Sequence, residues 1–349
     1  MTHRNLIALD LAKSSIQVAV EDLHLRKVTK NRAMSVNKTK EFLVNQLPST
    51  VAMESCGTAH WWTWFAEGLG HTVILLPPKH VVAYRQGHKT DATDNLAILE
   101  AAKRPNRKEA VKKTPNQLEL QTLLSVRDNY VGYKRKLSNA IRGHLLEFGV
   151  RIPKGYASLK DHLLVLLGDA ENDLSHRLRD LINRLYQSFL EAERQEKELD
   201  QELSQVIKDV DPCRRLTALE GIGPVNAVAL YVMIGDGSAF KNGRGAAALI
   251  GVTPQQYSTA GIANIGHIRK TGVDKHMRAL LIQGARSVVY SKRKPSTTAK
   301  GQWLQRVIER RGEGIAAVAL VNKNIRTAWA MLSRGEEYVP VGAHPNQAT

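Results

Sequence analysis

The sequence predicts a mixed α/β N-terminal domain, a long helical and coiled-coil middle, and a mostly α-helical C-terminal domain. Three observations carry this. Apolar runs of strand length recur between short turns in the first third of the chain. From Thr114 to Val210 the pattern becomes almost purely helical, and after Pro212 a compact glycine-rich stretch gives way to helix again. The segments are 1–113, 114–211 and 212–335, followed by a tail at 336–349 whose polar end "GAHPNQAT" is expected to be disordered.

"NLIALDLA" and "SIQVAVED" are β-rich runs around a short polar turn, which predicts a hairpin. "STVAMES" gives a third strand, "WWTWFAEGLG" a helix ending at glycine, and "HTVILLPP" a fourth strand stopped by Pro77 and Pro78. "TDATDNLAILEAAKR" follows as a helix capped by Thr90. The middle segment opens with Thr114 as cap and Pro115 at the first helical position. Beyond a break at Pro153–Gly155, Leu174, Leu178, Leu181, Leu185 and Phe189 recur at helical steps, then Leu199, Leu203 and Val206. Such a stripe packs against a partner helix and suits a coiled-coil arm or a dimer contact.

The 349 residues suffice for about two cored domains. Fifty Lys and Arg against 33 Asp and Glu leave a formal charge of +17, which points to a polyanion, most simply nucleic acid. Aromatic residues make up only 5%, so contacts to a duplex backbone fit better than base stacking along a single strand. Cys56 and Cys213 are too few and too far apart in sequence for a disulfide framework or a cysteine zinc site, which suggests a reducing cytoplasm. Neither an export signal nor a membrane span is expected.

One aspartate interrupts the first apolar run. Asp10 ends its strand as Glu54 ends "TVAM", while Asp91 and Asp94 lie three apart at a helix start and share a face. Each has a plain explanation: Asp10 as a turn former, Glu54 as a strand end, Asp91 and Asp94 as favourable charges at a helix N-terminus. Together, in a strongly basic chain, four hard oxygen ligands from three elements read as a Mg²⁺ site for phosphodiester chemistry. The order strand Asp, strand Glu, helix Asp-x-x-Asp is the plan of a ribonuclease H-like fold.

Downstream, Gly221-Ile222-Gly223-Pro224 between helical runs looks like a helix-hairpin-helix turn, whose glycines let backbone N–H groups approach a DNA phosphate. A tight interhelical turn explains it equally well. Gly251, Pro254, Gly261, Gly266 and Gly272 mark a loop region holding Ser258 and Thr259, followed by Arg269, Lys270, Lys275 and Arg278. A hydroxyl beside cations could attack a phosphodiester. On chemistry alone, a Ser/Thr turn in a DNA-contacting loop is the better reading.

"ALDLAKSS", "AMESCG", "KTDATDN", "LSNAIRGHLLEFG", "LEGIGPVNA" and "GVTPQQYSTAG" with "IRKTG" occur in this order over nearly the whole chain. In these motifs the sequence resembles the DEDD transposases of the insertion sequence 110 type, including its 1111 subgroup. The resemblance implies a RuvC-like N-terminal domain in which Asp10, Glu54, Asp91 and Asp94 bind Mg²⁺. It also implies a C-terminal serine, here Ser258, that joins covalently to the DNA backbone. A structured noncoding guide RNA encoded by the element, the bridge RNA, would choose donor and target DNA, and dimers would pair into tetramers with shared active sites. The sequence departs from the family pattern at Asn95, where Ala is commoner, at Ala260 in "STAG", and at His267 and Arg269. Arg269 and Lys270 are the expected phosphate contacts.

The main expectation is thus an RNA-guided DNA recombinase of an insertion sequence. The alternatives are a metal-dependent, junction resolvase-like nuclease without a covalent intermediate and a non-catalytic nucleic-acid-binding protein. The first hairpin also resembles the phosphate loop of actin-like sugar kinases, but the charge and the lack of a convincing glycine-rich adenosine loop weigh against that reading.

Overall fold

The computed structural model describes residues 5–88, 90–259, 262–269, 274–291 and 298–340. Ala260, Gly261, Lys270, Gly272 and the tail from 341 lie outside the described residues. The chain divides into two compact units, Met1–Asn116 with Met233–Gly245, and Gln117–Val232 with Ala246–Thr349.

The first unit contains β1 (Asn5–Leu11), β2 (Ser15–Asp22), β3 (Lys27–Ser35), α1 (Val36–Val44), β4 (Thr50–Glu54), α2 (Ala59–Gly68), β5 (Thr72–Leu76), α3 (Pro78–Val81), a 3₁₀ turn at Val82–Tyr84 and α4 (Asp91–Lys103). The strands form one sheet in the order β3-β2-β1-β4-β5. β2 is antiparallel to both neighbours and β4 and β5 run parallel to β1, so β2 alone opposes the other four.

Both faces of the sheet are covered, which is why its central strands read as continuous apolar runs. Ile7, Leu9, Val51 and Met53 pack with Leu43 of α1 and Trp62 and Ala66 of α2. Leu6, Ala8, Ala52 and Leu76 pack on the opposite face with Ala97, Ile98 and Ala101 of α4. The Thr90 cap is present: its hydroxyl accepts from Thr93 N, and Thr93 reciprocates.

β3 and α1 were not expected. β3 is an edge strand, "KVTKNRAMS", most of whose side chains face solvent; its charges suit an edge, where they discourage pairing with other chains, but erase the alternation that reveals a strand.

The helical middle comprises α5 (Pro115–Glu147), α6 (Tyr156–Gly168) and α7 (His176–Asp209). The leucine stripe packs within the chain: Leu174, Ile182, Tyr186 and Phe189 meet Leu137, Ile141 and Leu145 of α5 and Leu159 and Leu163 of α6. Leu181 remains half exposed. Arg127 pairs with Asp200 at 2.6 Å and Lys134 with Glu196, so α5 and α7 run antiparallel. Arg142 secures the α5–α6 connection by donating to the carbonyls of Pro153 and Gly155.

Lys134 is buried and its ammonium also lies 4.7 Å from the Tyr156 ring centroid. Removing one member of such a pair strands the other's charge. Lys134→Ala should cost about 2 kcal/mol, below the roughly 3–5 of a fully buried pair because Glu196 keeps some solvent contact. Lys134→Met with Glu196→Leu should recover most of that loss in denaturant titration.

α8 (Asp211–Leu216), α9 (Pro224–Ile234), α10 (Gly243–Ile250), β6 (Pro254–Thr259), β7 (Ile262–Ile268), α11 (Lys275–Ser291), α12 (Ala299–Arg311) and α13 (Glu313–Arg334) complete the chain. A non-helical turn over 217–223 joins α8 to α9. The glycine-rich segment differs from the expected loop: β6 and β7 pair as an antiparallel hairpin. "PQQYST" and "IANIGHI" contain too few buried positions to announce strands, since their side chains are largely exposed. Cys56 is exposed and Cys213 buried, both free, and burial pushes the Cys213 thiol up to about 12. Among the described residues, no helix is long and apolar enough to cross a membrane.

Candidate active site

β1 and β4 are parallel neighbours in which Leu9 is opposite Met53. The next residue of each strand is Asp10 and Glu54, so the two acids lie side by side near the same end of adjacent strands, with backbones about 4.8 Å apart. Alternation fixes their face. Leu6 and Ala8 in β1, and Ala52 in β4, belong to the face covered by α4, and Asp10 and Glu54 share that parity. Both are half-buried.

The first turn of α4 is tied to the same end of the sheet. Asn95 Nδ2 donates to the Gln17 carbonyl at 2.9 Å, and Gln17 is the β2 residue paired with Asp10. Gln17 Nε2 donates to Asn31 Oδ1 at 2.8 Å, and Asn31 Nδ2 donates to the Ala92 carbonyl at 3.1 Å. These amides bind β2, β3 and α4 into one unit at the level of Asp10. Asn95, the departure noted in the sequence, is fully buried and serves as a strut.

Asp94 is half-buried and paired with Arg85, whereas Asp91, at the first position of α4, is exposed. The fold thus gathers the acids at one sheet end, yet among the described residues no three His, Cys, Asp or Glu side chains stand close enough to hold a metal ion. Like-charged carboxylates repel one another, and Arg85 supplies a counter-charge to Asp94. The sequence reading missed Arg85, Gln17 and Asn31, because isolated polar residues in turns and edge strands carry no periodic signal.

Ser258 belongs to the second unit, on β6 opposite Ala263 of β7. Thr259 is opposite Ile262, so the two hydroxyls project from opposite faces of the hairpin. Both are exposed. Arg269 directly follows β7, and its carbonyl accepts from Arg278 Nη1 at 2.5 Å, anchoring the hairpin to α11; Lys270 lies outside the described residues. Gly221 sits at φ +80° against Gly284 of α11, and Asn226 Nδ2 bridges the Gly221 and Leu280 carbonyls, each at 3.4 Å. Gly223 is exposed, with open space over its Cα.

Residues 7–149 match a DEDD transposase model of the IS110 type, and residues 213–302 match the transposase IS116/IS110/IS902 family. The chain is 37% identical over 335 residues to a probable family 20 transposase of Pseudomonas aeruginosa, covering 96% of this chain and 98% of the relative. The chain belongs to the IS110 family of transposases. This transposase is also 34% identical over 338 residues to the transposase for insertion sequence element IS1111A of Coxiella burnetii, covering 95% and 91% of the two chains. Against the IS1328 transposase of Yersinia enterocolitica the figures are 33% over 336 residues, 96% and 98%. As a transposase the enzyme acts on DNA. The first family match contains Asp10, Glu54, Asp91 and Asp94, and the second contains Gly221, Gly223, Ser258 and Arg269.

Proposed function

We propose that this transposase is an RNA-guided recombinase that moves its own insertion sequence, using an acid cluster on a RuvC-like domain and Ser258 as nucleophile. The observation that carries the reading is the register of β1 and β4, which sets Asp10 beside Glu54 while Gln17 and Asn31 hold the Asp91–Asp94 turn at the same end of the sheet. The strand order, with β2 alone reversed, supports the ribonuclease H-like assignment.

The donor set fits Mg²⁺: Asp10, Glu54, Asp91 and Asp94 offer only hard carboxylate oxygens, from rigid elements. When bound there, the cation would neutralise the scissile phosphate and stabilise charge on the reacting oxygens. Ser258 loses its hydroxyl proton as Oγ bonds to phosphorus, and the displaced sugar oxygen takes up a proton. The phosphoserine ester keeps the bond energy for rejoining, which reverses the step. Exposure of Ser258 on a hairpin suits attack on a bulky duplex, and its primary hydroxyl is less hindered than that of Thr259.

Arg269 and Lys270 would hold phosphates near the hairpin. The Gly221–Gly223 turn would lay backbone N–H groups on another, with Gly221 fixing its shape and Gly223 leaving the approach open. Sequence readout would be delegated to pairing with an element-encoded RNA. Dimers pairing into tetramers would bring Ser258 of one protomer to the acids of another.

The test incubates the protein with Mg²⁺, its element-encoded RNA and labelled donor DNA. A denaturant-resistant protein–DNA adduct is expected, and Ser258→Ala should abolish it. Cleavage without an adduct, unaffected by Ser258→Ala, would establish a hydrolytic nuclease instead.

A further inference from the structure

A cavity of about 320 Å³ lies in the first unit beside β5, the edge strand, lined by Leu76, His80, Tyr84, Arg104, Arg107 and Lys108 among others. Leu76, Ala101, Pro105 and the Tyr84 ring supply apolar lining, and His80, Arg104, Arg107 and Lys108 supply cationic or imidazole groups. The Arg104 guanidinium lies over the Tyr84 ring, 5.0 Å from its centroid, so the two already form a stack that a base can extend.

The charges are available to a ligand. Arg104 meets Glu100 only at 3.8 Å and Arg107 meets Glu109 at 3.1 Å, both surface pairs that exchange for a stronger anion at little cost. Burial, and then the neighbouring charges of Lys79 and Lys108, hold His80 below its ordinary value. Its ring is therefore neutral at pH 7, with one N–H donor and one acceptor for a base edge.

Position connects the cavity to the acids. Leu76 is the register partner of Glu54. Tyr84 immediately precedes Arg85, which pairs with Asp94.

We propose that the cavity seats one unpaired nucleotide, its base stacked against the Tyr84–Arg104 pair and its phosphate on Arg107 and Lys108. The volume is at the low end of the roughly 300–1,000 Å³ of small-ligand sites, enough for one base. Positive charge joined to an aromatic face is the chemistry that holds single strands without reading sequence. The place of this subsite in the reaction rests on the acids being the cleavage site; its binding chemistry does not.

The full-length protein is titrated with a labelled single-stranded oligonucleotide, as DNA and as RNA, with an abasic site moved stepwise along it. Tyr84→Ala should weaken binding about tenfold and Tyr84→Phe should restore it. An abasic site at one position should weaken the wild type comparably yet add nothing in Tyr84→Ala, since each removes the same contact. Arg107→Ala with Lys108→Ala should reduce the slope of log affinity against log salt by about 0.7, the value for one phosphate on a single strand. Whichever backbone gives this pattern identifies the strand. Equal affinity for folded Tyr84→Ala and wild type, or no sensitive abasic position, overturns the subsite and leaves a nonspecific basic surface. If the binding pattern holds while Asp10→Asn cleaves like the wild type, the assignment of the acids fails and the nucleotide site stands.

Discussion

Asp10→Asn is expected to lower Mg²⁺-dependent strand cleavage by more than about a hundredfold while the fold and nucleic-acid binding persist. Even residues that merely orient metal ligands typically cost 10–100-fold when changed, so a ligand itself should exceed about that range. Asparagine keeps the shape of the side chain and one carbonyl oxygen but removes the negative charge. The site of the change makes the experiment clean. Asp10 is at the open end of β1, beyond the buried run Leu6–Leu9, so the core contacts of the sheet are untouched. Its neighbour across the parallel pair is another acid, and neutralising one of two adjacent carboxylates relieves repulsion. Gel-resolved cleavage over a Mg²⁺ series, with a thermal melt of the same preparation, separates the outcomes. A variant that cleaves within a few-fold of the wild type would make Asp10 a turn residue.

How far this site was legible in the sequence follows from the kind of signal each residue gives. Asp10 and Glu54 stood out because each terminates a run of apolar residues buried on both faces of the sheet, where a charge interrupts the pattern. The first turn of α4 was legible because Thr90 and the paired aspartates follow helix-start chemistry. Arg85 was not, since an ion pair between a turn and a helix obeys no spacing rule. The amide ladder Gln17–Asn31–Ala92 was hidden for the same reason, its members being scattered over three elements. The β6–β7 hairpin was read as a loop because its residues are exposed, and exposure removes the alternation by which strands are recognised. Its hydroxyls matter for that reason: a strand pair fixes Ser258 and Thr259 on opposite faces, whereas a loop would leave either free to turn toward a phosphate.

Gly284→Ala should be among the most damaging single changes in the second unit, costing about 3 kcal/mol or more, although alanine in a helix is ordinarily favourable by about 1 kcal/mol. Gly284 is in the interior of α11, where nothing about helical geometry calls for glycine. The demand comes from packing. A Cβ there would overlap the Gly221 carbonyl oxygen and lie 2.7 Å from Asn226 Nδ2. Reciprocally, a Cβ at Gly221 would meet the Gly284 carbonyl oxygen at 2.6 Å, on a backbone already at φ +80°. Backbone meets backbone here, so no rotamer change relieves the overlap and the helix must move. For a unit of this size the loss corresponds to a melting temperature lower by about 10 °C. Gly143 of α5 is the control: it is exposed with nothing near its Cα, so Gly143→Ala should gain about 0.5–1 kcal/mol. The contrast also bears on function, because the bond from Asn226 to the Gly221 carbonyl and the contact with Gly284 shape the turn proposed to carry a DNA phosphate. Gly284→Ala should therefore weaken duplex binding at temperatures where the protein is still folded, while Gly143→Ala leaves it unchanged. Equal melting temperatures for the two variants would mean that the turn yields easily, and that its shape is not what the glycines preserve.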